Sequence, residues 1–190
     1  MAVKTEQNCA DAPLGVSAFL AFGSNIGDRM SEFRSALRGL RENGFQPEVS
    51  SSVYETEPVG CEPGAAPFYN AVIGGRWNAS AESLLKLCLH LEQKAGRPTV
   101  HPHWHSRILD IDLLLFGESI LHTDMLTLPH PRIGERLFVL VPLAEIAPHV
   151  IVPGSGLTVL EQLDVLKKSV SCSASAVKRI FPPFFCDNFS

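Results

Sequence analysis

The chain has 190 residues, 45% hydrophobic and 19% charged, enough apolar material for one globular domain with its own core. A formal charge of -4 offers no basic surface for a nucleic acid backbone, and the interrupted apolar runs fall short of a membrane span. No basic start followed by an apolar stretch opens the sequence, so a cytoplasmic location is expected, and the odd number of five cysteines without paired spacing argues against a disulfide framework or a zinc site.

Residues 1–15 and 169–190 lack both helical and strand periodicity and read as tails around one domain over 16–168. Within it, Val16 to Phe22 reads as a buried strand stopped by Gly23. A helix should follow, capped by Asp28, with Met30, Phe33, Leu37 and Leu40 at helical spacing and Gly44 where a left-handed C-terminal residue is wanted. Pro47 to Thr56 predicts a second, more exposed strand, and Phe68 to Asn78 a third. Ser80 caps a second helix whose Leu84, Leu85, Leu87, Cys88 and Leu91 form an apolar stripe, ended by Gly96; Arg107 to Phe116 predicts a fourth strand. This order is the ferredoxin-like βαββαβ plan, an α+β fold in which an antiparallel sheet carries both helices on one face. C-terminal helices should extend the core: one over Glu135 to Ile146, despite Pro142, and one opened by a Thr158/Glu161 capping box.

The most informative segment is Arg107-Ile-Leu-Asp-Ile-Asp-Leu-Leu-Leu. Side chains alternate along a strand, so Asp110 and Asp112 share one face about 6.6 Å apart, between Ile108 and Leu114. An anionic pair beside apolar neighbours asks for a cation, and oxygen-only ligands suit magnesium better than zinc. Arg97, Arg107, Arg132 and Arg136 supply forks suited to phosphate oxygens, and magnesium with arginine is the usual apparatus of phosphoryl transfer. The turn Gly23-Ser-Asn-Ile-Gly-Asp28 could direct N–H groups at an anion, although a tight strand-to-helix turn explains its glycines as well. Glu57 to Pro67 is long for a hairpin and reads as a lid. It delivers Phe68 and Asn70, an aromatic plate and an amide suited to a flat heterocycle. His101-Pro-His-Trp-His105 reads as a mobile loop covering a nucleotide, in preference to a three-histidine zinc site.

Six ordered motifs are Phe22 to Asp28, Ser52-Val-Tyr-Glu-Thr-Glu-Pro-Val-Gly60, Pro67 to Ala71, Glu92 to Arg97, Trp104 to Asp112 and Pro129-His-Pro-Arg-Ile-Gly-Glu-Arg-Leu-Phe138. Over about residues 17–166 the chain resembles the 6-hydroxymethyl-7,8-dihydropterin pyrophosphokinases of folate biosynthesis. The resemblance implies ATP as co-substrate, transfer of its β,γ-diphosphate to the pterin hydroxymethyl oxygen, and release of AMP. It implies Asp110 and Asp112 as ligands of two magnesium ions, and Arg97 meeting the transferring group. Phe68 and Phe138 would be the pterin walls, with Asn70 and the backbone at Thr56 and Val59 reading its polar edge. Glu92, Trp104, Arg107, His130 and Arg136 would contact the nucleotide. Thr99, His103, His105-Ser106, Met125 and Pro131 depart from the family pattern, which predicts weaker ATP binding or slower loop closure. A nucleotidyltransferase and a silent pterin- or nucleotide-binding module are the competing readings. The expected partners are small molecules, without nucleic acid, membrane or an obligatory protein.

Overall fold

A computed structural model describes residues 15–58, 64–96, 107–169 and 177–184. In chain order the elements are β1 (Val16–Ser24), α1 (Arg29–Glu42), β2 (Gln46–Ser50), β3 (Val53–Thr56), β4 (Phe68–Trp77), α2 (Ala81–Lys94), β5 (Asp110–Phe116), β6 (Leu121–His122), β7 (Thr127–Leu128), a 3-10 turn (Ile133–Glu135), α3 (Leu137–Ile146), α4 (Val159–Ser169) and β8 (Lys178–Phe181). Among the described residues no helix is long and apolar enough to cross a membrane.

Local chemistry sets the helix limits. The Asp28 carboxylate accepts from Ser31 N–H at 3.0 Å, the Ser80 hydroxyl from Ser83 N–H at 3.2 Å, and Gly44 and Gly96 follow α1 and α2 with positive φ. Thr158 and Glu161 form the expected reciprocal box: Thr158 N–H donates to Glu161 at 2.8 Å and Glu161 N–H to the Thr158 hydroxyl at 3.2 Å. Pro142 lies inside α3, buried on its core side; it forfeits one helical hydrogen bond without ending the helix.

The main sheet runs β5-β1-β4-β3-β8, with β2 also on β4, and every pairing is antiparallel. The single strand predicted over Pro47 to Thr56 is two strands end to end along β4. At the break, Ser51 N–H donates to Val72 O at 2.8 Å, while its hydroxyl accepts from Val72 N–H at 2.9 Å and donates to Ser52 O at 2.7 Å. Ser51 and Ser52 are fully buried, and the Ser51 N–H and the Ser52 carbonyl both have partners there.

One sheet face packs under α1 and α2: Phe33, Leu37, Leu40, Leu84, Cys88 and Leu91 meet Leu20, Phe22, Ile73, Ile111 and Leu113. The opposite face carries Phe19, Val72, Leu114 and Leu115 against Val139, Leu140 and Leu143 of α3 and Val159 and Leu163 of α4. Leu20 pairs with Leu113 but Phe19 with Leu115, so Leu114 is an extra residue, a β-bulge that puts both Leu114 and Leu115 on the α3 side.

Two expectations change. β5 begins at Asp110, not Arg107, because Asn25 takes the Arg107 backbone: its N–H donates to Arg107 O at 2.9 Å and its side-chain oxygen accepts from Arg107 N–H at 2.6 Å. The segment read as a C-terminal tail carries β8, paired to β3 through Val53/Phe181, Tyr54/Arg179 and Glu55/Lys178. Beyond it Phe184 is 3% exposed in the core, 5.8 Å from the Phe33 ring and 6.2 Å from Phe22. Core burial and an unpaired strand edge supply what aperiodic sequence did not signal.

Candidate active site

Alternation and register place the site. Tyr54, Asn70, Gly23 and Asp110 form one row across β3, β4, β1 and β5, and Ala21 stands opposite Asp112 in the next row. These positions share the sheet face that carries Phe19 and Val72, the face of α3 and α4. The helices leave one end of that face open, and a cleft of about 750 Å³ forms there, bordered by Gly23, Thr56, Phe68, Asn70, Asp110 and Asp112 from the sheet and by His130, Arg136 and Phe138 from the segment leading into α3. Glycine at position 23 keeps the floor flat: a Cβ would stand 3.8 Å from the Asn70 Oδ1 and 3.8 Å from the Asp110 Cβ.

One end of the cleft is anionic with cations around it. Arg107 Nη1 donates to Asp110 Oδ2. Arg136 Nη1 lies 3.5 Å from Asp112 Oδ2, and its guanidinium carbon is 5.5 Å from the centre of the Phe138 ring. Burial, and then repulsion from Asp110, push the Asp112 carboxyl above the ordinary carboxylate range against the pull of His130, Arg136 and Arg107. His130 moves the other way, because burial disfavours its imidazolium more than Asp112 favours it. Its Nδ1 accepts from Arg132 N–H at 3.2 Å, so the proton of the neutral ring belongs on Nε2, which faces Asp112 Oδ2 at 3.8 Å. Among the described residues no group of three or more His, Cys, Asp or Glu side chains gathers as a metal cage. Two carboxylates with water and phosphate completing the shell is the pattern that suits magnesium, and the strained Asp110/Asp112 pair is what a divalent cation would relieve.

The other end is neutral and flat. Asn70 Nδ2 donates to the Thr56 hydroxyl at 2.9 Å, both residues being buried, which fixes the amide orientation. Phe68, two residues before Asn70 and opposite Thr56, and Phe138 at the start of α3 both border the cleft half-buried. Glu92 is 2% exposed at the cleft wall, where its Oε1 accepts from Ile111 N–H at 2.7 Å and ties α2 to β5. Val59, Arg97 and Trp104 lie outside the described residues, as do Thr99, His103 and residues 59–63 of the supposed lid.

Two supporting residues escaped the sequence reading. Asn25, inside the glycine turn, fixes Arg107 from the backbone and also donates to Ala66 O at 3.2 Å, so one side chain ties the turn to the approaches of both Phe68 and Asp110. Glu145, on α3, accepts from Ser52 N–H at 2.8 Å, the Ser52 hydroxyl at 2.7 Å and the Tyr54 hydroxyl at 3.0 Å, docking α3 on the β2/β3 break. The Asn25 role was open to suspicion from its motif; that of Glu145 had no local signal.

Comparison with known proteins bears on this geometry. The family model described as 7,8-dihydro-6-hydroxymethylpterin-pyrophosphokinase matches residues 19–148. The chain is 42% identical over 134 residues, covering 70% of this chain and 79% of the relative, to the 2-amino-4-hydroxy-6-hydroxymethyldihydropteridine pyrophosphokinase of Bacillus subtilis. A protein of the same name from Methylorubrum extorquens is 37% identical over 80% of this chain and 94% of its own length. The folate synthesis bifunctional protein of Arabidopsis thaliana is 38% identical over 67% of this chain, which spans 26% of that longer protein. Among solved structures, a Plasmodium falciparum HPPK-DHPS shares the fold with a TM-score of 0.64 at 13% identity, over 82% of this chain and 46% of that one. The matched stretch begins within β1 and runs past the end of α3, so it contains the cleft residues named above from Gly23 to Phe138, and on that match the chain belongs to the 7,8-dihydro-6-hydroxymethylpterin-pyrophosphokinase family.

Proposed function

We propose that this chain transfers the β,γ-diphosphate of ATP to the hydroxymethyl oxygen of 6-hydroxymethyl-7,8-dihydropterin. The pterin oxygen bonds to the β-phosphorus, the bond from that phosphorus to the oxygen bridging the α-phosphate breaks, and AMP leaves with that oxygen while the hydroxyl proton passes to solvent. The observation that carries this reading is one cleft with two chemically distinct ends: the Asp110/Asp112 pair with its cations, and the Thr56–Asn70 amide beside Phe68 and Phe138. The order β5-β1-β4-β3 supports a ferredoxin-like core, within one domain that begins at residue 16 and takes in β8 and Phe184.

In this reading Phe68 and Phe138 sandwich the pterin, and Asn70, held by Thr56, reads its polar edge together with backbone at Thr56 and Val59. Asp110 and Asp112 would hold the two magnesium ions expected with ATP, and bound there the metal supplies charge neutralisation for the phosphates. Arg107, His130 and Arg136 lie at the phosphate end, where Arg107 and Arg136 offer fixed positive charge and the His130 ring offers an N–H. Glu92 and Trp104 are assigned to the nucleotide and Arg97 to the transferring group. Catalysis is then alignment and electrostatic stabilisation, with no side-chain general base assigned.

The test is AMP release from ATP and magnesium with and without the pterin, the product followed by mass. Pterin-dependent AMP and a diphosphorylated pterin are the expected result. Release of pyrophosphate would move the chain to nucleotidyl transfer, and saturable pterin binding without turnover would make it a binding module.

A further inference from the structure

The family match ends at residue 148, before α4 and β8, yet Val177, the residue just before β8, borders the cleft. The last β3/β8 pair is Glu55 with Lys178, and one register step further Thr56 would meet Val177. Val177 is half-buried and borders the cleft together with Thr56, Glu57, Phe68 and Asn70.

Its position is not left to a loose end. Phe184 anchors the segment in the core between α1 and the sheet, with its ring 5.8 Å from Phe33. On the same side Phe181 meets the Tyr69 ring edge-on at 5.8 Å, and the Arg29 guanidinium carbon lies 3.5 Å from the centre of the Tyr69 ring while Arg29 Nη1 donates to Pro67 O at 2.8 Å. The stack Phe181–Tyr69–Arg29 therefore couples β8 to the backbone that delivers Phe68. A valine brings two methyl groups and no hydrogen-bonding atom, so it complements a C–H edge of a heterocycle, leaving the N–H and C=O edge to Asn70 and the Thr56 backbone.

We propose that the C-terminal strand is a working part of the pterin end of the cleft, with Val177 as a specificity-determining residue that sets how far the flat ring seats beside Thr56. This inference rests on the pterin reading above. It is tested with Val177→Trp and Val177→Ala in the full chain, measuring KM for 6-hydroxymethyl-7,8-dihydropterin, KM for ATP, kcat and thermal midpoint. A bulky indole should crowd the ring and raise the pterin KM by about tenfold, and loss of two methyl groups should raise it by about threefold. ATP KM, kcat and the thermal midpoint should stay near those of the wild type. A pterin KM unchanged in both variants overturns the inference while leaving the reaction intact, as does a uniform loss of all kinetic parameters together with thermal stability. Absence of pterin turnover in the wild type overturns the functional reading, and this inference with it.

Discussion

Asn70 and Asp110 stand on either side of Gly23 in one row across three strands, so their backbones are about 9.6 Å apart with no side chain between them. That gap is the passage between the flat end and the anionic end of the cleft. A side chain there has room for its Cβ, so Gly23→Leu should fold, but its isobutyl group would fill the passage where the acceptor's hydroxymethyl must reach the phosphates. Steady-state kinetics should show kcat/KM for the pterin falling by about 100-fold, with thermal stability little changed. Unimpaired turnover would place the reacting groups elsewhere.

Asp112 is held in an environment that disfavours its charge, and the consequence can be read in stability. Its folded pKa lies above the unfolded value, so the favourable contribution belongs to low pH and is lost as pH rises through the folded value. At neutral pH in metal-free buffer Asp112→Asn should therefore raise the thermal midpoint, although turnover should fall by about 1,000-fold. Added magnesium with a nucleotide should stabilise the wild type and not the variant. A destabilised, fully active variant would remove Asp112 from the metal site.

Tyr54 gives the alkaline counterpart. Burial first, and then its hydrogen bond and proximity to Glu145, push the phenol up to about 12. The unfolded chain ionises this phenol near its ordinary value of about 10, so stability is fully present below that pH and is lost up to the folded value. Urea unfolding should show this alkaline loss in the wild type, and Tyr54→Phe should flatten it. An unchanged profile would mean that other groups govern alkaline unfolding.

Phe184 tests whether the C-terminal segment belongs to the fold. Truncating a buried phenylalanine costs about 3 kcal/mol, so Phe184→Ala should lower the thermal midpoint by about 6 to 12 °C. A neutral substitution would show that the segment is dispensable for stability.

What was legible in the sequence was local. The caps at Asp28, Ser80 and Thr158 involve residues three apart, and the shared face of Asp110 and Asp112 follows from alternation over three residues. What was illegible depended on partners distant in sequence. The break in the second strand is made by Val72, the late start of β5 by Asn25, and the docking of α3 by the β2/β3 turn. β8 was missed because its four residues gain order from the β3 edge and from a phenylalanine beyond the strand, and neither leaves a periodic pattern. Of the cleft residues, Phe68, Asn70 and Arg136 were legible from the chemistry of their segments and His130 and Phe138 through motif resemblance; the structure places them around one space.

The extra residue at Leu114 gives β5 one residue more than its pairing with β1 needs. Ahead of it, Asp110 and Asp112 are in phase with the cleft; behind it, Leu115 and Phe116 are in phase with two different cores. Deleting Leu114 would leave the carboxylates facing the cleft and Leu115 and Phe116 facing their own cores, because Leu113 and Leu115 already pair with neighbouring residues of β1; what is lost is the second leucine against α3. A single-residue deletion at Leu114 is therefore compatible with the register of β5, and its cost is the apolar contact that this leucine makes with α3 and α4.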